Sequence, residues 1–176
     1  LFLPGLGGVR LFDWDEINFA ESAREMLITG DLLNVQINFE SFWEKPPLFI
    51  WMQALCMKVF GVGEMAARLP NAIAGIVTLL VLFNIGRRCA GNRFGLLWVL
   101  MYAASFFPFF YFKSGIIDPW FNLFIFLGIY FFSRYADPQA KGRMMQNAAL
   151  SALFIGLGIL TKGPVAFLIF ILTFGV

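Results

Sequence analysis

LPNAIAGIVTLLVLFNIG, residues Leu69 to Gly86, carries no ionisable side chain and runs directly into Arg87 and Arg88. A helix crosses the hydrocarbon core with about 20 mostly apolar residues, so this stretch reads as a spanning helix stopped by charge. Working outward, Phe94 to Phe112, Pro119 to Phe132, Asn147 to Leu160 and Val165 to the end repeat the pattern. Pro119 to Phe132 and Asn147 to Leu160 are short and either extend into flanking polar residues or sit where the membrane is thinned; the last stretch is truncated. The fold class expected is an all-α polytopic membrane protein, with residues 69–176 supplying about five transmembrane helices of a larger bundle.

Composition agrees. Hydrophobic residues make up 60% of the chain and charged ones 14%, with a mean hydropathy of +0.77, against about 45–50% and about 25% in soluble domains. No basic patch supports nucleic-acid binding. Cys56 and Cys89 lack metal-ligand spacing, and neither reads as a disulfide partner. Histidine is absent, so any catalysis in this segment falls to carboxylates and lysines. The chain opens on Leu1 and stops within an apolar run at Val176, which reads as a piece of a longer protein, with Leu1 to Pro4 ending an upstream helix.

Basic residues orient the spans. One set of loops holds Arg87, Arg88, Arg93, Arg134, Lys141 and Arg143 against the single acid Asp137, and is read as cytoplasmic. On the other side acids outnumber bases, and residues 5–68 form an external, periplasmic loop. Two interfacial helices are expected in it. Glu16 to Thr29 has Ile17, Ala20, Ala23 and Leu27 near one face, Gly30 as its stop, and Asp13 or Asp15 as its N-cap. Pro47 to Phe60, with Gln53 and Lys58, is too short for a span and suits the interface.

The chemistry-bearing residues cluster on this external side. Asp13-Trp14-Asp15-Glu16 places three acids in four residues at the mouth of the bundle. Capping and solvated charge account for them equally well, yet partial desolvation makes an interfacial carboxylate a better general base. Glu44-Lys45-Pro46-Pro47 puts an ammonium at head-group level, where it either snorkels to ordinary lipids or meets the phosphate of a lipid substrate. Asp118-Pro119 is a helix start or a site acid, and Lys162 in Thr161-Lys162-Gly163-Pro164 raises the same question for a cation.

Taken in order, Asp15-Glu16, Ala20-Glu21, Ala23-Arg24-Glu25-Met26-Leu27, Gly30-Asp31, Glu44-Lys45-Pro46-Pro47, Ala67-Arg68-Leu69-Pro70, Asp118-Pro119 and Gly158-Ile159-Leu160-Thr161-Lys162-Gly163-Pro164 span almost the whole chain. This series closely resembles the bacterial membrane glycosyltransferases related to protein O-mannosyltransferases and to lipid A aminoarabinose transferases. The resemblance implies a many-helix bundle in the inner membrane and an inverting transfer from a polyprenyl-phosphate sugar to lipid A, a glycan or a protein. It implies catalytic roles for Asp15, with Glu16 beside it, and for Asp118, and donor-phosphate contacts for Lys45 and Lys162. Some relatives bind a divalent cation near the glutamate of the Glu-Lys-Pro element, which makes Glu44 the metal-ligand candidate, no other cofactor being implied. The activated donor needs no nucleotide loop, and neither a Walker A nor a Rossmann glycine pattern occurs.

Two other readings compete. A transporter places its binding charges near the bilayer midplane on broken helices, whereas the acids here gather at one interface. A non-catalytic membrane subunit requires those acids and Lys45 to be replaceable by neutral residues.

Overall fold

The computed structural model describes residues 1–12, 14–137 and 142–175. The chain is mainly helical. In order come α1 (Trp14–Thr29), a two-stranded antiparallel hairpin of β1 (Gln36–Ile37) and β2 (Glu40–Ser41), α2 (Leu48–Phe60), α3 (Glu64–Ala104), α4 (Phe106–Tyr111), α5 (Asp118–Ala136), α6 (Met144–Lys162) and α7 (Val165–Phe174). The expected cap Asp13 and the loop residue Lys141 lie outside the described residues.

The 41 residues of α3 are two arms, because Ala90 (φ −145°) and Gly91 (φ 85°, ψ 175°) break the helix. A Cβ on Gly86 would stand 2.9 Å from the Cα of Gly95, and one on Gly95 would stand 2.8 Å from the carbonyl of Phe83. Nine residues of straight helix cover about 13 Å, so that proximity means the chain has doubled back. Glycines at the crossing allow the two backbones to touch.

Phe94 to Phe112 was expected as one span; the structure divides it. Helix α3 ends at Ala104, Ser105 is extended (ψ 135°), and the six-residue α4 follows. Pro108 explains the break, since its ring collides with the carbonyl four residues earlier, that of Ala104. Helices α5 and α6 are each 19 residues, long enough to span once their flanking polar residues are included. They pack tightly. A Cβ on Gly128 would lie 2.5 Å from Ile155 Cδ1, and Ser151 Oγ donates to the Gly128 carbonyl at 2.8 Å.

Other expectations shift. Leu1 to Pro4 are not helical, and Phe2 and Leu6 are buried with Ala72, Ala74 and Phe112. In α1 the buried residues are Glu16, Phe19, Ala20, Ser22, Ala23, Glu25 and Met26; of the expected face Ala20 and Ala23 are buried and Leu27 is half-buried against the core, while Ile17 is exposed. The buried face is wider than the expected stripe because carboxylates that find partners can be buried too. Cys56 is half-buried and Cys89 exposed, both as free thiols.

Candidate active site

One apolar core gathers the first loop onto the bundle. Phe19, Ala20, Ala23 and Met26 of α1 pack with Phe49, Ile50, Ala54 and Met57 of α2, Ala66 and Ala67 of α3, and Ile117 just before α5. Phe19 meets Phe49 edge-on at 5.9 Å, and Gln53, fully buried, donates to the Ala67 carbonyl at 2.8 Å. The core therefore packs α1 and α2 against the first turn of α3 and the lead-in to α5.

Beside it lies a buried ion pair. Arg68 Nε donates to Glu16 Oε1 at 2.7 Å and Nη2 to Oε2 at 2.9 Å, with the residues 3% and 1% exposed. The remaining guanidinium donors go to the carbonyls of Leu6 (3.0 Å), Val9 (2.7 Å) and Arg10 (3.0 Å). All five arginine N–H groups are thus used. Glu16 also accepts from the backbone N–H of Phe12 at 2.9 Å and of Gly115 at 2.6 Å. Four donors occupy the four acceptor positions of its carboxylate.

That geometry bears on the catalytic expectation for Glu16. With every lone pair engaged and no access to solvent, it has no position at which to take a proton from an acceptor; it anchors the loop. Asn71, fully buried, extends the anchor by donating to the carbonyls of Ser114 (2.7 Å) and Ile116 (2.6 Å). Residues 114–116 are thereby tied both to α1 and to α3, two positions before Asp118. Sequence reasoning gave Arg68 and Asn71 no role. The available signal was Arg68 itself, a base immediately before an apolar run on the side where acids prevail.

Asp15, next to the anchored Glu16, is half-buried and makes no ion pair among the described residues. Lys45 is also half-buried without an ion pair among them, and Glu44 is exposed. No group of three carboxylate, thiol or imidazole side chains suited to a metal forms among the described residues. Glu44 by itself does not make a donor set for a divalent ion. Asp118 and Lys162, expected in separate roles, are brought together. Lys162 Nζ donates to Asp118 Oδ1 at 2.6 Å and stands 5.4 Å from the Phe121 ring centroid. The pair joins the first residue of α5 to the last of α6.

Two further acids in α1 are occupied. Arg24 is hydrogen-bonded to Glu21, which holds the Glu21 carboxyl below its usual range despite some desolvation. Glu25, fully buried, accepts the backbone N–H of Phe39 at 2.9 Å. Asn38 (φ 56°) and Phe39 (φ 60°) form the left-handed turn of the β1–β2 hairpin. Such a turn prefers Asn-Gly, and a bulky side chain there costs about 1–2 kcal/mol. The Glu25 carboxylate, through the one oxygen that takes the Phe39 N–H, ties the hairpin leading to Glu44 and Lys45 to α1.

A model of the dolichyl-phosphate-mannose-protein mannosyltransferases matches residues 44–176. The chain belongs to that family. An undecaprenyl phosphate-alpha-4-amino-4-deoxy-L-arabinose arabinosyl transferase from Edwardsiella ictaluri is 29% identical over 166 residues, 94% of this chain and 30% of that protein. An uncharacterized protein of Aquifex aeolicus is 30% identical over 169 residues, 93% of this chain and 37% of its own length. The crystal structure of ArnT from Cupriavidus metallidurans bound to undecaprenyl phosphate superposes with a TM-score of 0.84 at 25% identity, covering 98% of this chain and 33% of that one. The chain spans about a third of the length of these relatives, and its fold is that of part of a multi-pass membrane glycosyltransferase.

Proposed function

We propose that the chain forms the donor-handling part of a glycosyltransferase that moves a sugar from a polyprenyl phosphate to a lipid, glycan or protein acceptor at the periplasmic face of the bacterial inner membrane. The observation that carries the reading is the contrast within one acidic pair: Glu16 is saturated by Arg68 and two backbone amides, while Asp15 beside it is half-buried with no ion pair among the described residues. A carboxylate held by its rigid neighbour at a bundle end suits a base positioned for an acceptor hydroxyl or amine. The likeness to an ArnT structure bound to undecaprenyl phosphate supports the lipid-phosphate donor.

In this reading the acceptor attacks the anomeric carbon on the face opposite the phosphate. The bond from that carbon to the phosphate oxygen breaks, the polyprenyl phosphate leaves with the electron pair, and Asp15 takes the acceptor's proton. Lys45 stabilises charge on the departing phosphate as an ammonium free of any carboxylate among the described residues. Lys162, already neutralised by Asp118, orders the same rim and holds the start of α5 in place.

Asp15→Asn in the full-length protein tests the assignment, because it preserves size and removes the basic oxygen. With labelled polyprenyl-phosphate sugars in membranes, turnover is expected to fall about 100-fold or more with thermal stability unchanged. Wild-type turnover in a normally folded Asp15→Asn protein would refute the role.

A further inference from the structure

Helix α5, 19 residues long, measures about 28 Å at 1.5 Å per residue, so its last turn lies about one hydrocarbon thickness from the Asp118–Lys162 pair. At that far end a cavity of about 370 Å³ opens between the first arm of α3, the end of α5 and the start of α6. Arg88, Arg134 and Arg143 line it together with Tyr130 and Asn147. Arg134 is paired with Asp137 at 3.0 Å, which steers one guanidinium without cancelling the three. Helix α6 begins here with no side-chain hydrogen bond at its cap, Arg143, so its amide end adds positive potential.

The tendency of cytoplasmic loops to be basic accounts for arginines in these segments. It does not account for their convergence on one cavity. A second cavity of about 230 Å³ shares Arg88, Tyr130 and Phe131 with the first and continues between α3 and α5 along Val77, Leu80, Val81 and Leu127. The shared wall makes one site with a cationic end and an apolar end. A free phosphate or a nucleotide has no use for the apolar extension, whereas a lipid needs both ends.

We propose that these joined cavities bind one anionic phospholipid from the leaflet opposite the Asp15 end, its phosphate among Arg88, Arg134 and Arg143 and an acyl chain along Val77, Leu80 and Val81. Charge-assisted hydrogen bonds to three arginines hold the head group, and the chain in the groove secures the packing of α3 against α5. The site is separate from the donor site, on which the proposal does not depend.

The test titrates the purified full-length protein in detergent with phosphatidylglycerol, and in parallel with phosphatidylcholine, following bound lipid by native mass spectrometry. Replacing all three arginines by glutamine is expected to weaken phosphatidylglycerol binding more than about 10-fold, leaving phosphatidylcholine binding unchanged. Leu80→Trp, which fills the groove, should weaken phosphatidylglycerol without touching the arginines, and millimolar inorganic phosphate should not displace the lipid. Should the triple variant fail to fold, Arg143→Gln alone at the start of α6 gives the same reading with a smaller loss. Unchanged binding in the arginine variants, indifference to Leu80→Trp, or displacement by inorganic phosphate would each overturn the proposal, the last marking a site for free anions.

Discussion

Replacing Arg68 by methionine removes the five guanidinium hydrogen bonds at the centre of the first loop and leaves the Glu16 carboxylate 1% exposed without its counter-charge. Methionine preserves most of the volume, so the loss comes from the stranded charge and from the orphaned carbonyls of Leu6, Val9 and Arg10. Breaking a buried pair by removing one partner costs about 3–5 kcal/mol, a large share of a typical total stability of about 5–15 kcal/mol. The expected result is a lower thermal midpoint for the full-length protein in detergent and a rise in proteolytic cleavage within residues 5–13. Glu16→Gln added to Arg68→Met removes the stranded charge and is expected to recover part of the midpoint, the signature of coupling in a double-mutant cycle. Turnover should stay low in both, because Asp15 depends on the same anchor for its orientation. If Arg68→Met melts like the wild type, the ion pair is not the anchor and the contrast between Glu16 and Asp15 loses its basis.

Lys45→Ala should raise the KM for a polyprenyl-phosphate sugar about 10-fold or more, as expected for a lost hydrogen bond to a charged group, with expression and thermal midpoint unchanged; steady-state kinetics in membranes measures it. Glu25→Ala should speed deuterium exchange in residues 35–42 about 10-fold or more, and adding Phe39→Gly should restore protection, because glycine holds the left-handed turn without the carboxylate. Persistent fast exchange in the double variant would mean that Glu25 acts through general packing instead. For orientation, Glu40→Cys should react with an impermeant thiol reagent in intact cells while Gly142→Cys should not, both in a background in which Cys56 and Cys89 are serine.

Membrane character was legible because lipid imposes a coarse rule that composition alone reveals: Leu69 to Gly86, with no charge in eighteen positions, had few alternatives. The interruption at Ser105 was legible too, in Pro108, but an apolar run hides a break that lipid tolerates when other helices cover the freed carbonyls. The β1–β2 hairpin escaped because Asn38-Phe39 lacks the glycine that marks such turns, and its support comes from Glu25, far away in sequence. The candidate site divided along the same line. Residue types and order picked out Asp15, Glu16, Lys45, Asp118 and Lys162. Pattern could not separate the saturated carboxylate of the Asp15-Glu16 pair from the one with no ion pair among the described residues, nor foresee that Lys162 would reach back forty-four positions to Asp118. Those distinctions depend on which donors arrive from distant segments, and a linear sequence does not record that.

The doubled-back turn at Ala90 and Gly91 also bears on how the protein is made. Arg87, Arg88 and Arg93 sit within seven residues at the apex of a tight helical hairpin whose arms touch at Gly86 and Gly95. Carrying an arginine through the bilayer centre costs about 2.5–3.5 kcal/mol on the insertion scale, and three together about 9 kcal/mol. In the orientation proposed above, that cost holds the apex on the side of synthesis, and each later helix threads relative to it. A nascent chain that loses those three charges would be free to enter the membrane upside down, with every side chain of the folded rim intact and facing the wrong compartment.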